Sequence, residues 1–88
     1  MNDTDVRALV HAAIRRVAPE ADPDTVPADS DFREALDIDS MDFLNFVDEL
    51  HSRTGLDVPE RDYPSLASID GCVAYLGQRW NERTVAER

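Results

Sequence analysis

Eighty-eight residues with a single cysteine make one small domain and exclude an intrachain disulfide or a thiolate zinc cluster. Nineteen Asp or Glu against nine Arg, with no Lys, give a formal net charge of −10, a field that repels nucleic acid and anionic lipid and attracts basic protein surfaces. No apolar run approaches membrane-spanning length and the N-terminus is acidic, so neither a transmembrane helix nor a signal peptide is expected, and a reducing, cytosolic setting is. The charge is also unevenly placed: fourteen acids and only three Arg fall between Glu20 and Asp62, while the flanks are nearly neutral.

Val6, Leu9, Val10, Ala13, Ile14 and Val17 recur at three and four, which predicts an amphipathic first helix. Asp3 or Thr4 can cap it, Arg15 and Arg16 suit the negative end of its dipole, and Ala18-Pro19 stops it. From Glu20 to Asp39 no period is sustained. Pro23 and Pro27 mark a long loop, anchored by Val26, Phe32 and Leu36, with a single helical turn around 32–36. A second long helix is expected from Ser40 to about Arg53, with Phe43, Phe46, Val47 and Leu50 facing inward and Gly55 closing it in left-handed geometry. Leu56 to Pro59 reads as extended, and Pro64 allows only a short helical turn between Asp62 and Ala67. Ser68 caps the last helix, whose inner face is Ile69, Cys72, Val73, Leu76 and Trp80; Gly71 and Gly77 each weaken it by about 1 kcal/mol relative to Ala. The expected fold is all-α, a small four-helix bundle of three longer helices and one short one with a long first loop. It forms a single domain over 1–83 and a frayed tail over 84–88.

Ser40 is the one serine at which an acidic approach, Asp37-Ile38-Asp39, meets the start of a long helix. Either Asp39 or Ser40 can be the N-cap, with the other helical. A serine at this point is exposed, with its hydroxyl at the positive end of the helix dipole, where a phosphate ester is electrostatically favoured; the alternative is that Ser40 is only a cap and needs no chemical role. The side of this helix away from its inner stripe collects Met41, Asp42, Asn45, Asp48, Glu49 and Ser52. Met41, a large apolar side chain among acids, reads as the centre of a partner-docking face.

Enzymatic readings fail on the same residues. No G-x-S-x-G surrounds Ser40, and neither His11 nor His51 is tied to it in a triad order. Asp37 and Asp39 begin like a calcium loop, but Met41 stands at a ligand position and Asp42 at the required glycine. His11 and His51 read as solvated, Cys72 as a small buried hydrophobe, and Trp80 as a core residue. Neither a catalytic residue nor a metal ligand is expected.

The string Leu36-Asp37-Ile38-Asp39-Ser40-Met41-Asp42-Phe43-Leu44 resembles the prosthetic-group site of the acyl carrier proteins, whose usual form is L-G-x-D-S-L-D. The likeness spans nearly the whole chain: the amphipathic first helix, the acidic loop with Phe32 near its end, Gly55-Leu56-Asp57-Val58-Pro59, and the Ser68-capped final helix. It implies that Ser40 carries a 4′-phosphopantetheine arm, moved from coenzyme A by a phosphopantetheinyl transferase, with acyl groups held as thioesters on the arm's thiol. It further implies a monomeric, cytoplasmic carrier with no catalytic residue. Asp39, Met41, Asp42, Asn45, Asp48 and Glu49 would meet the transferase and the acyl-loading and acyl-processing enzymes through their basic docking surfaces, with neither nucleic acid nor membrane as a partner.

The chain departs from the pattern in a few places. Asp37 replaces the usual glycine, Asn45 stands where housekeeping fatty-acid carriers commonly have Glu, and Phe43 and Phe46 replace smaller aliphatics. Fatty-acid, polyketide and related specialised pathways all remain open on this reading. A peptidyl or aminoacyl carrier would share the arm, but its frequent Gly-Gly-His/Asp-Ser form is missing. An unmodified acidic adaptor for a basic partner fits the composition, yet gives no reason for Asp39-Ser40-Met41 at a helix start.

Overall fold

The structure, a computed structural model, describes residues 2–86, with side chains described as far as position 82. Four α-helices follow in chain order, three long and one short: α1 (Asp3–Val17), α2 (Phe32–Ala35), α3 (Ser40–Thr54) and α4 (Ile69–Ala86). Short 3₁₀ turns at Pro23–Thr25 and Glu60–Leu66 complete the described elements, and the all-α bundle expected from the sequence is what forms.

α1 begins one residue earlier than its acids suggest. Asn2, not Asp3 or Thr4, is the N-cap; its side chain accepts a 2.8 Å hydrogen bond from the Asp5 N–H. Asp3 and Asp5 are thereby left in the first turn, where they complement the helix dipole. The helix ends at Val17, with Ala18 as C-cap. It packs against both α3 and α4, and its apolar stripe of Val6, Val10, Ala13 and Ile14 is fully buried in the core they share.

The long first loop is held to the core at more points than its sequence advertises. Phe32 is fully buried and Val26 and Leu36 are half-buried, as the three expected anchors, but Pro23 and Ile38 are buried too. Pro23 starts a 3₁₀ turn capped by Asp22, and Asp24 of that turn meets Arg15 at 3.1 Å and His11 at 3.2 Å. His11 is therefore not the solvated residue expected: its side chain is 16% exposed, lodged between α1 and the loop. Two backbone bonds stitch the loop to the start of α4, from Phe32 N–H to the Ala67 carbonyl at 3.3 Å and from Asp70 N–H to the Ala28 carbonyl at 2.9 Å.

Gly55 closes α3 with φ 73° and donates to the His51 carbonyl. The buried Thr54 hydroxyl donates to the Leu50 carbonyl at 2.7 Å and accepts from the Leu56 N–H at 3.1 Å, so a polar group in the core is satisfied twice. The exposed His51 has its Nδ1 3.1 Å from the Leu56 carbonyl oxygen and 3.3 Å from Asp57.

Ser68 caps α4 by accepting from the Gly71 N–H at 2.9 Å. Ile69, Cys72, Val73 and Leu76 are buried, whereas Trp80 only edges the core. Burial pushes the Cys72 thiol up to about 12, which keeps it protonated and inert. α4 stays helical to Ala86, so the expected tail over 84–88 begins inside it; positions 87 and 88 lie outside the described residues.

Candidate functional site

The turn into α3 is set by four consecutive residues with different tasks. Leu36 ends α2, donating its N–H to the Phe32 carbonyl at 2.9 Å. Asp37 takes up left-handed backbone with φ 56°, the only described non-glycine residue to do so. Asp tolerates that region better than most L-residues, and a glycine would enter it freely. Ile38 turns inward and is buried, while its N–H bonds back to the Arg33 carbonyl at 2.8 Å. Asp39, in extended backbone, is the N-cap: its carboxylate accepts from the Asp42 N–H at 2.8 Å.

With the cap supplied by Asp39, Ser40 becomes the first helical residue. It is exposed, and its hydroxyl makes no hydrogen bond among the described residues. Of the two arrangements the sequence allowed, this is the one that leaves the hydroxyl available. A free primary alcohol at a helix start suits a phosphate ester, since the positive end of the helix dipole lies beneath it. The residues present thus fit attachment of a phosphate-linked group without rearrangement.

Ser40 opens onto a cleft of about 660 Å³ lined by the start of α3, by the segment 31–39 that leads into it and by the 3₁₀ turn Glu60–Leu66. Phe43, Leu44, Ile38 and Tyr63 provide apolar wall, and the rim carries the carboxylates of Asp31, Glu34, Asp37, Asp39 and Glu60 together with Arg33. A chain of rings backs the cleft: Tyr63 meets Phe43 edge-on at 5.5 Å, Phe43 leans on Phe46 at 6.0 Å, and Phe46 meets Phe32 at 5.3 Å. The Arg33 guanidinium lies 5.0 Å from the Phe43 ring centroid and bonds Asp31, which holds the Asp31 carboxyl below its ordinary value.

The residues expected on the docking face do not all lie in one environment. Met41 is 73% exposed, and Asn45 and Asp48 are exposed beside it. Asp42 is half-buried and turns toward a second hollow, lined also by Val17, Ala18 and Leu36. Glu49 is bound within the molecule, 3.0 Å from Arg53 and 3.8 Å from Arg16 of α1. Sequence reasoning missed Leu44, among the described residues the other large apolar side chain left exposed, at 51%. Its signal was available, because Met41, Leu44, Asn45 and Asp48 are spaced i, i+3, i+4 and i+7 and form one stripe.

Positions 8–76 match the family model described as "Phosphopantetheine attachment site". Curated relatives include an acyl carrier protein of Lactobacillus johnsonii, 32% identical over 60 residues that cover 68% of this chain and 75% of the relative. One from Kineococcus radiotolerans is 33% identical over 55 residues, covering 62% of this chain and 68% of the relative. One from Bdellovibrio bacteriovorus is 26% identical over 73 residues, covering 80% and 94%. No solved structure gives a significant match.

Proposed function

Because the chain belongs to the phosphopantetheine-attachment family of acyl carrier proteins, with 4′-phosphopantetheine as its prosthetic group, we propose that Ser40 is the residue that bears this group. The protein is a carrier and not a catalyst. When attached, the group supplies a terminal thiol that holds acyl chains as thioesters. What this chain contributes is the hydroxyl, the cleft and the surface its enzymes recognise.

The observation that carries the assignment is the division of labour at the start of α3. Asp39 holds the Asp42 N–H, so Ser40 is spared from capping and its hydroxyl is exposed and unbonded among the described residues. With no helix-capping bond to break, a phosphopantetheinyl transferase can take the Ser40 proton as the oxygen bonds to the phosphorus that carries the pantetheine half of coenzyme A, the pyrophosphate P–O bond breaks and the adenosine bisphosphate half leaves. Ser52 lies near the end of α3, while Ser68 is engaged as the cap of α4.

The partner face is the stripe Met41, Leu44, Asn45 and Asp48, with Asp39 and Asp42 at its head near Ser40. Glu49 contributes less, because Arg16 and Arg53 already neutralise it. Its acids suit transferase and acyl-processing enzymes with basic surfaces, and its two apolar side chains suit a contact that excludes water. Asp37, Asn45, Phe43 and Phe46 favour service in a specialised pathway, such as polyketide synthesis, over the role of central fatty-acid carrier. The carrier works as a monomer in the cytoplasm.

The test is intact mass and peptide mapping after co-expression with a promiscuous phosphopantetheinyl transferase. Wild type should gain the mass of the arm on the peptide containing Ser40. Ser40→Ala should fold with stability within ~0.5 kcal/mol of wild type, as expected for an exposed, unbonded side chain, and gain nothing. A Ser40→Ala protein that still takes up the arm sinks the assignment.

A further inference from the structure

The cleft beside Ser40 contains one cation. Five carboxylates line it, those of Asp31, Glu34, Asp37, Asp39 and Glu60, and Arg33 is the sole basic side chain among its lining residues. Arg33 sits over the ring of Phe43, three residues on from Ser40 along α3. Residues at that spacing are neighbours on a helix surface, about 5–6 Å apart at their Cβ atoms. The guanidinium and the Ser40 hydroxyl therefore share one side of the helix and one cleft.

Arg33 is loosely held there. Its two bonds to Asp31, from Nε and Nη2, are each 3.3 Å, long against the ~2.7–2.9 Å of a tight charge-assisted pair. Its Nη1 has no hydrogen-bond partner among the described residues. Asp31 does not depend on that pairing for its structural role, since it also caps α2 by accepting from the Arg33 and Glu34 N–H groups. The fork can leave Asp31 without uncapping the helix.

A phosphodiester on Ser40 would add a negative charge to a rim that is already acidic. A planar guanidinium binds phosphate oxygens in pairs, which a carboxylate rim cannot do. We propose that Arg33 binds the phosphodiester at the root of the arm, turning its fork from Asp31 to the phosphate and directing the arm along the Phe43–Tyr63 wall of the cleft. This inference rests on Ser40 as the attachment site. Arg33 is then a positioning residue: it sets the direction in which the arm leaves the protein and takes no part in the thioester chemistry.

The experiment compares apo and holo protein by NMR, after intact mass has established that the arm is present on Ser40. In wild type the Arg33 Nε–Hε resonance should move on conversion from apo to holo, a readout that needs no variant. In holo Arg33→Gln the ³¹P resonance of the arm should shift and narrow relative to wild type, as the phosphate loses its partner. Arg33→Lys, which keeps the charge but not the fork, should fall between them. If the mass is present but the Arg33 resonance does not move and the ³¹P signal is the same in wild type and Arg33→Gln, this inference is overturned while the assignment of Ser40 stands. If Ser40 gains no mass, the assignment fails and the inference with it.

Discussion

Gly71 and Gly77 lie in the same helix and look alike in sequence, yet their surroundings give them opposite roles. A Cβ built on Gly71 would lie 2.4 Å from the Ser65 carbonyl oxygen, a backbone atom that cannot step aside. One built on Gly77 meets nothing within 4 Å. Gly71→Ala should therefore lose ~1–3 kcal/mol through forced displacement of the 3₁₀ turn, in spite of alanine's better helix propensity. Gly77→Ala should gain up to ~1 kcal/mol from that propensity alone. Urea unfolding of the two variants checks the signs, and two gains would mean that the Ser65 contact yields easily. Asp37 presents a related case at φ 56°. Asp37→Gly should stabilise the fold by up to ~1 kcal/mol as the left-handed strain is relieved. Asp37→Asn removes the charge while keeping a side chain, so it separates the charge contribution from the backbone one. A destabilised glycine variant would show that unfolded-state entropy outweighs the strain.

At the scale of one element, α3 carries three separate functions on three sides. Phe43, Phe46, Val47 and Leu50 are buried and fix the helix to the core. Glu49 joins it to Arg16 of α1. Met41, Leu44, Asn45 and Asp48 face outward from the end that begins with Ser40. Charged and apolar members of the outward stripe should act on different kinetic terms. Charge reversal at Asp48 should slow association with the transferase, with the loss shrinking at high salt. Met41→Ala should instead speed dissociation, costing ~1–2 kcal/mol if that side chain anchors the contact. Since Met41 is 73% exposed, its truncation leaves the core untouched. The check is the rate of arm transfer to each variant at low and high salt. A Met41→Ala protein as fast as wild type would leave Leu44 or the acids as the anchor.

Across the whole molecule the dominant electrostatic fact is crowding of like charge. The net charge is −10, and fourteen acids lie between Glu20 and Asp62 with only three Arg in that stretch. Several cross-links offset it, among them Arg7–Asp70 at 2.9 Å, Arg15–Asp24 at 3.1 Å and Arg79–Asp62 at 3.7 Å. The first two pairs are exposed and worth ~0–1 kcal/mol each, and salt screens them as well, whereas the half-buried Arg79–Asp62 pair is screened less. The repulsion involves more charges than the pairs do, so screening should favour the folded state on balance. Moving from low to physiological ionic strength should raise the melting temperature, and a net gain of ~1 kcal/mol would lift it ~4–8 °C for a domain of this size. A melting temperature that stays level or falls would mean that the cross-links outweigh the repulsion.

Periodicity alone located the three long helices, because each buries one stripe and the spacing of that stripe is a local property of the chain: Val6 to Ile14, Phe43 to Leu50, Ile69 to Leu76. The stop at Gly55 and the cap at Ser68 were legible for the same reason, since both act on backbone groups within a few residues. The motif around Ser40 was legible as residue types in order. Whether Asp39 or Ser40 would cap α3 was not, since both side chains can make that bond; the turn through Asp37 and the burial of Ile38 placed Asp39 at the cap. Other features depended on residues far apart in the chain. His11 has the spacing of a solvated residue, but Asp24 of the loop closes over it; Gly71 has the composition of a helix defect, but Ser65 lies against it; and Arg33 takes its place only where α2 meets α3 across Phe43. The pattern of one segment cannot encode such contacts, because the partner is brought up by the packing of another. The sequence by itself determined the helices and the serine; the packing decided that the serine's hydroxyl would be free and what would surround it.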